Sequence, residues 1–334
     1  MLRFTCRISH CLLALGAGGL LRAQPAPEPI PAPAEVAPVE EKAAAPEFAP
    51  QPVRNWLEAQ VELHRRGFSC GSIDGVRGAQ TVAALRAFQR TAGLNDTGNL
   101  DRATSEALLL TAPVLKPHTF SAEELAKLQP VADTWLGKSA QTALAYATPL
   151  EMVAELFRAS PGYLRKLNPD FNWESVLPGA VITVPAVERP AISGHATKLH
   201  VRLADHELEA TDETGRVIAH FPVSIARHVE KRPVGELHVT VVAPDPDYTF
   251  DPEVFPESPE ARELGRKLII PPGPNNPVGL AWIGLDRPGY GIHGTPEPEK
   301  VGRTESHGCF RLANWDALTL LELVWVGLPV EVEP

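Results

Sequence analysis

The sequence of 334 residues predicts a multidomain α+β protein, in which small helical modules precede a mostly β C-terminal domain. Apolar residues recur at helical spacing between residues 54 and 110, as at Leu85 and Phe88. From Lys198 onward the chain changes to short apolar or alternating runs separated by turn residues, which is typical of strands. Between residues 24 and 53, nine of thirty positions are proline, so no core is expected there.

The first 23 residues have the composition of a secretory signal peptide. Arg3 and Arg7 precede an apolar run at residues 11–21. Because this run is shorter than the ~20 residues that span a bilayer, we predict cleavage and export to the periplasm or cell envelope, with no membrane span after signal removal. Residues 24–53 would then be a linker, either a semi-rigid spacer or a leader that only tethers the rest.

The charge of the chain argues against two classes of partner. The formal net charge is -10, and removal of residues 1–23, with three arginines and no acids, makes it -13. Nucleic acids and anionic lipid surfaces are bound by clustered Lys and Arg, so neither is an expected partner.

Residues 54–110 are predicted to form a small helical bundle. An amphipathic pattern begins at Trp56, and a second helical pattern follows from Thr81 after turn glycines. This region resembles the three-helix peptidoglycan-binding domain, which implies binding to the cell-wall polymer. The resemblance rests on the order of five segments: 66–68, 73–75, 78–89, 93–94 and 101–104.

Residues 142–186 resemble the LysM carbohydrate-binding module, in which two short helices lie between two short strands. The matching segments are 152–157, 163–168 and 177–185, while Thr148-Pro149 replaces the Gly-Asp that opens that module. The resemblance implies glycan binding, and a purely structural docking domain is the alternative.

Residues 195–333 are predicted to form the mostly β domain. A hairpin turn is expected at residues 212–215, and one helix is expected between Asn314 and Trp325. The predicted strands are 200–203, 208–210, 217–223 and 328–332.

Two segments of this domain have the composition of a nucleophilic active site. His293 and Cys309 lie sixteen positions apart, so they must meet in space, and Gly294 and Gly308 keep the neighbouring backbone bare enough for a substrate. A thiolate is a strong nucleophile when an imidazole takes its proton, and N–H groups beside a Gly-Cys pair suit a developing oxyanion. A buried structural cysteine is less expected here, because the flanking residues are not apolar.

The run Tyr290-Gly-Ile-His-Gly-Thr295 followed by Ser306-His-Gly-Cys-Phe-Arg-Leu312 resembles the signature of the L,D-transpeptidases of the bacterial cell wall. The likeness continues through residues 268–279 and 282–285. It departs at residues 232–237, where Arg-Pro-Val-Gly-Glu-Leu replaces a Thr-Pro-x-Gly-x-Phe turn. The resemblance implies a β-sandwich with the cysteine at the edge of a cleft.

The resemblance also implies the roles of the site residues. Cys309 would be the nucleophile that forms a thioester with a peptidoglycan stem peptide and releases D-Ala, and His293 the base, oriented by the carbonyl of Gly294. Gly308 and Cys309 would supply oxyanion N–H groups, and a carbapenem would acylate the same thiol. His307 would shape the loop or be a turn histidine. Arg311 would bind a carboxylate or brace the loop against Asp316; Tyr290 and Trp282 would line the cleft or belong to the core.

Three alternative functions and one alternative state of the Cys309 thiol are considered on the sequence alone. Water, in place of an amine, could resolve the thioester, which would make the protein a carboxypeptidase or endopeptidase. The chain could be an inactive scaffold that binds peptidoglycan glycan. A zinc site of His293, His307 and Cys309 is disfavoured, because no second spaced Cys or His pair follows, and no cofactor or metal is predicted. A disulfide between Cys70 and Cys309 would consume the nucleophile.

Overall fold

The computed structural model describes residues 48–254, 259–303 and 308–334, so the predicted signal peptide lies outside the described residues. No helix among these residues is long and apolar enough to cross a membrane. The helices are α1 (Trp56–Arg65), α2 (Ala79–Thr91), α3 (Arg102–Ala107), α4 (Ala122–Ala126), α5 (Trp135–Ser139), α6 (Pro149–Leu156), α7 (Pro161–Leu167), α8 (Pro259–Leu264) and α9 (Asn314–Leu323). The strands are β1 (Gln51–Pro52), β2 (Leu109–Leu110), β3 (Leu115–Thr119), β4 (Val181–Pro185), β5 (Lys198–Arg202), β6 (Glu207–Thr211), β7 (Val217–Pro222), β8 (Gly235–Pro244), β9 (Tyr248–Phe250), β10 (Leu268–Ile270), β11 (Ala281–Leu285), β12 (Gly291–His293), β13 (Phe310–Arg311) and β14 (Pro329–Glu333).

The first module consists of α1, α2 and α3 around a small core. Asn55 caps α1 by accepting a hydrogen bond from the N–H of Glu58 at 3.0 Å, and Asp101 caps α3 through the N–H of Thr104 at 2.8 Å. β1 pairs with β2, and Val53 is 1% exposed in the same core. Residues 48–53 therefore belong to this module, although their proline content placed them in the predicted linker.

The second module is a two-stranded antiparallel sheet, β3 with β4, packed on α6 and α7. Both helices begin with a hydroxyl cap followed by proline: Thr148 accepts from the N–H of Glu151, and Ser160 from that of Tyr163. Thr148-Pro149 is thus a helix start. The strand β3 begins upstream of residue 142, where the LysM-like segment was predicted to start. The likeness to LysM stays a prediction.

The third module is an eight-stranded sheet in the order β13-β12-β11-β8-β14-β5-β6-β7. The ten-residue strand β8 pairs with β14 at one end and with β11 at the other, so one curled sheet takes the place of the two separate layers of a sandwich. Residues from both halves, such as Leu199 and Ile283, share one core with α9. The predicted combination of a helical N-terminal region and a mostly β C-terminal domain is confirmed.

The three modules pack together within one compact unit, residues 47–334. β7 is an edge strand of the large sheet, and the first module covers it: the N–H of Ser69 donates to the carbonyl O of His220 at 2.8 Å, and the N–H of His220 donates to that of Gly67 at 3.0 Å. Arg90 adds an ion pair with Glu209 at 2.6 Å. An open sheet edge exposes unpaired backbone groups, so this contact stabilises the sheet against edge-to-edge association.

Candidate active site

Two short neighbouring strands place His293 and Cys309 on the same side of the sheet. β12 and β13 pair in parallel, with Ile292 opposite Phe310 and His293 opposite Arg311. Ile292 and Phe310 are buried in the core of the third module. Because successive side chains of a strand point to opposite faces, His293 and Arg311 point away from that core, and so does Cys309, the residue before Phe310.

His293 is held as a neutral imidazole. Its side chain is buried, and its Nδ1 lies 2.6 Å from the carbonyl O of Gly294. Since a carbonyl only accepts, Nδ1 donates and Nε2 is left as the acceptor nitrogen. Burial lowers the pKa of His293 to about 4, an effect that the Gly294 carbonyl opposes and the Arg311 charge reinforces. A base that is neutral at pH 7 can take a proton.

Cys309 is held as a thiol. Its Sγ lies 3.5 Å from the carbonyl O of Gly289. Burial raises the pKa of the thiol above its ordinary value, while a hydrogen bond from the Gly291 backbone and the charge of Arg311 act in the opposite direction. Because only the thiolate is an effective nucleophile, this thiol needs a base beside it.

His293 and Cys309 line one cleft with a volume of about 480 Å³. The Trp282 indole is stacked against the His293 ring, with the ring centroids 5.6 Å apart and an interplanar angle of 23°. The other lining residues are Trp135, Lys231, Tyr248, Val254, Pro277, Val278, Gly289, Gly308 and Arg311.

The predicted site residues divide into three groups. Trp282, Arg311 and Gly308 line the cleft with His293 and Cys309. Tyr290 lies outside this lining: the Arg287 guanidinium sits 4.6 Å from its ring centroid, and its ring faces the Gly308 backbone. His307 is one of residues 304–307, which lie outside the described residues.

Arg311 lines the cleft with a polar group that has no partner among the described residues. Its Nε is buried and has no hydrogen-bond partner among the described residues. Asp316, the alternative partner, instead accepts a hydrogen bond from the Ser69 hydroxyl at 2.8 Å and interacts with the charge of Arg158. A guanidinium N–H without a partner in a cleft suits a carboxylate.

Asn314 is a residue of this site that the sequence analysis missed. Its Oδ1 accepts from the N–H of Leu280 at 3.1 Å, and a Cβ placed on Gly294 would lie 2.2 Å from that oxygen. Its Nδ2 donates to Glu155 of the second module at 2.9 Å. The bare backbone at Gly294 was assigned to substrate access; in the structure it makes room for Asn314.

Two clusters among the described residues have the spacing of metal ligands, and neither includes the cleft residues. One is His200 with Glu331 and Glu333, and the other is Glu207 with Glu209 and His220. In the second cluster, Arg202 already donates to both carboxylates. The Arg202 guanidinium thus satisfies the acids of the second cluster that a cation would need.

The domain that contains His293 and Cys309 matches a known family. Residues 196–332 match the family model of the YkuD L,D-transpeptidase catalytic domain. The chain carries an L,D-transpeptidase catalytic domain. Residues 54–108 match a second model, described as "Putative peptidoglycan binding domain".

Similar proteins bear the same names. "Putative L,D-transpeptidase YkuD" of Bacillus licheniformis is 27% identical over 185 residues, which are 55% of this chain and 93% of that protein. "Putative L,D-transpeptidase YqjB" of Bacillus subtilis is 34% identical over 115 residues, 33% of this chain and 56% of that protein. A crystal structure of L,D-transpeptidase 3 from Mycobacterium tuberculosis, in complex with a faropenem-derived adduct, has 19% identity and a TM-score of 0.33, and covers 48% of this chain and 76% of that chain.

Proposed function

We propose that this L,D-transpeptidase uses Cys309 as its nucleophile and His293 as its general base on peptidoglycan stem peptides. The observation that carries the proposal is the parallel pairing of β12 with β13, which sets both side chains in one cleft. The neutral imidazole and the protonated thiol are the two forms that a general-base mechanism requires at the start.

In the first step His293 takes the proton of the Cys309 thiol, and the sulfur attacks the carbonyl carbon that precedes the terminal D-Ala. The tetrahedral intermediate collapses with cleavage of the C–N bond. The imidazolium returns its proton to the leaving nitrogen, so D-Ala departs with a neutral amino group. The rest of the donor is then held on Cys309 as a thioester. An amine of a second stem attacks the thioester, and the thiol is regenerated.

Two groups would stabilise charge during these steps. Backbone N–H groups at Gly308 and Cys309 are suited to the oxyanion, and loss of one such donor typically lowers the rate ~10²–10³-fold. Arg311 lines the same cleft with a buried N–H that lacks a partner among the described residues, and we assign it to a donor carboxylate.

The first module supplies attachment to the wall. Its match to a peptidoglycan binding domain supports a location in the cell envelope. We propose that the glycan-bearing polymer is held there, and that the LysM-like second module contributes either glycan contacts or docking alone. Export by the signal peptide at residues 1–23 belongs to the same proposal.

The proposal is tested by incubating the protein with a disaccharide tetrapeptide and analysing the products by mass spectrometry. Cross-linked dimers lacking one D-Ala are the expected result. Tripeptides without dimers would show that water resolves the thioester, as in a carboxypeptidase. Unchanged substrate in the presence of an intact thiol would contradict the enzymatic proposal and favour a scaffold.

A further inference from the structure

One wall of the cleft comes from outside the β domain. Trp135 is the first residue of α5, in the segment between β3 and α6, and it lines the cleft together with Cys309. The matched catalytic domain begins only at residue 196. The cleft of this chain is therefore completed by a residue that lies upstream of the matched catalytic domain.

The Trp135 side chain is fixed by stacking. Its ring lies against Phe250 of β9, with centroids 4.3 Å apart and an interplanar angle of 16°, and Phe250 is fully buried. Thr134 caps α5 by accepting from the N–H of Gly137 at 3.0 Å. A Cβ on Gly137 would lie 2.8 Å from that of Ala132, so the turn that carries the indole is tightly packed.

The backbone around Trp135 is also bonded to the β domain. The N–H of Leu136 donates to Glu260 of α8 at 3.0 Å, and the N–H of Leu144 donates to the carbonyl O of Pro272 at 2.8 Å. The Asn275 amide reaches the carbonyl O of Ala145 at 2.8 Å. These bonds hold the segment beside the loop that leads to Pro277 and Val278, which line the cleft.

We infer that Trp135 is a specificity-determining residue that contacts the peptide part of the donor, an inference that rests on the proposed function. The peptide part is favoured because Cys309 must reach a peptide carbonyl in the same cleft, and the sugar lies at the opposite end of the stem. A fixed aromatic wall gives apolar contact at little cost in side-chain entropy.

The test measures donor binding rather than turnover. Isothermal titration of a free stem tetrapeptide into full-length protein carrying Cys309→Ala gives the reference affinity. Trp135→Ala in that background should weaken binding about tenfold, as for truncation of a buried aromatic contact, and Trp135→Phe by less than about threefold. Leu136→Ala is the matched control on the same helix turn and should leave the affinity unchanged.

Two outcomes would overturn the inference. One is that the Trp135→Ala protein, shown to be folded by thermal melting, binds the tetrapeptide within twofold of the reference affinity. The other is a loss of affinity for a disaccharide tetrapeptide without a loss of affinity for the free tetrapeptide. That result would place the indole against the sugar. If the wild-type enzyme forms no product while the binding difference persists, the proposed chemistry fails and the assignment of Trp135 stands.

Discussion

At the scale of single residues, the cleft combines a thiol that is hard to ionise with an imidazole that is hard to protonate. Burial is the largest cause in both cases: it raises the pKa of Cys309 and lowers that of His293 to about 4. The free enzyme therefore holds a neutral pair at pH 7. The proposed mechanism therefore requires proton transfer before or during the attack on a donor.

The first prediction follows from this pair. The rate constant for alkylation of Cys309 by iodoacetamide should keep rising with pH beyond the ordinary thiol range, because the thiolate is the reactive form. Arg311→Gln should move this profile to still higher pH, since the Arg311 charge opposes the rise in the pKa of the thiol. A rate that is already constant below pH 7 would indicate a preformed thiolate–imidazolium pair and contradict the prediction.

The two cysteines among the described residues differ in a way that gives a second prediction. Cys70 is 2% exposed, and burial raises its pKa, whereas Cys309 lines the cleft. Cys309→Ala should abolish product formation, and Cys70→Ala should leave it nearly unchanged. A carbapenem should add one acyl group to wild-type and Cys70→Ala proteins, measured by intact mass. An adduct on the Cys309→Ala protein would show that another residue reacts.

The sequence predicted that His293 and Cys309 lie together better than it predicted what surrounds them. His293 and Cys309 stand out because each is flanked by glycine, and their meeting requires only that two segments become adjacent strands. Asn314 gave no such signal, because an Asn before a predicted helix reads as a cap. Its contacts with Gly294 and with Glu155 depend on tertiary packing between residues that are distant in the sequence.

At the scale of elements, α6 and α9 meet behind His293. Glu155 of α6 accepts hydrogen bonds from Asn314 at 2.9 Å and from the Tyr146 hydroxyl at 3.0 Å. Asn314 in turn lies against Gly294, whose carbonyl accepts from His293. A helix of the second module thus positions the backbone that orients the imidazole.

The third prediction tests this contact. Glu155→Ala should lower kcat about tenfold with little change in KM, because misplacement of a catalytic group affects the reaction step more than donor binding. Glu155→Gln should restore most of the rate, since its side-chain oxygen still accepts both hydrogen bonds. Steady-state kinetics on a soluble muropeptide measure both values. Equal loss in the two variants would argue against a positioning role.

Glu155→Gln should also differ from the wild type in how its thermal stability depends on pH. Burial raises the pKa of Glu155 to about 7, so the folded protein favours the protonated carboxyl. The stability of the wild type should fall as pH rises from the ordinary carboxyl pKa to about 7, because the folded state binds the extra proton in that window. The melting temperature of Glu155→Gln relative to wild type should therefore increase between pH 4.5 and pH 7.

The elements themselves were largely predictable, and their partners were not. The expected helix between Asn314 and Trp325 appears as α9, and the strand pattern after Lys198 appears as β5 to β7. Residues 48–53 were assigned to the linker because residues 24–53 as a whole are rich in proline, yet Val53 supplies a core contact and β1 pairs with β2 at the module's edge. Periodicity reports which face is buried, and it does not report what covers that face.

At the scale of the whole molecule, a buried polar cluster joins the three modules. Asp316 of α9 accepts from Ser69 of the first module at 2.8 Å and interacts with Arg158 of the second module. Arg158 lies 3.5 Å from the ring of His64, which is fully buried. Burial raises the pKa of Asp316 to about 7 in spite of Arg158. The sequence analysis considered Asp316 only as a partner of Arg311. These groups are buried because the modules dock.

The last prediction concerns a fragment that begins at Ala191. Domain organisation in the sequence suggests that such a fragment turns over small soluble muropeptides and loses only its attachment to sacculi. The docked structure predicts a greater loss. The fragment lacks Trp135 in the cleft wall and Glu155 behind Asn314, and it leaves the edge strand β7 uncovered. We expect its kcat/KM on a soluble muropeptide to fall at least about tenfold, with a lower melting temperature and a tendency to associate.

A chain that begins at Glu47 is the matched control, because it keeps every one of these contacts within the compact unit of residues 47–334. Its kcat/KM on a soluble muropeptide should equal that of the full chain. It should also pellet with purified sacculi at both low and high salt, because an acidic protein cannot bind that polymer by charge alone. Size-exclusion chromatography and thermal melting separate a fragment that has unfolded from one that is folded but slow. If the fragment beginning at Ala191 matches the longer chain in kcat/KM, the β domain is self-sufficient, and the upstream modules act only in attachment.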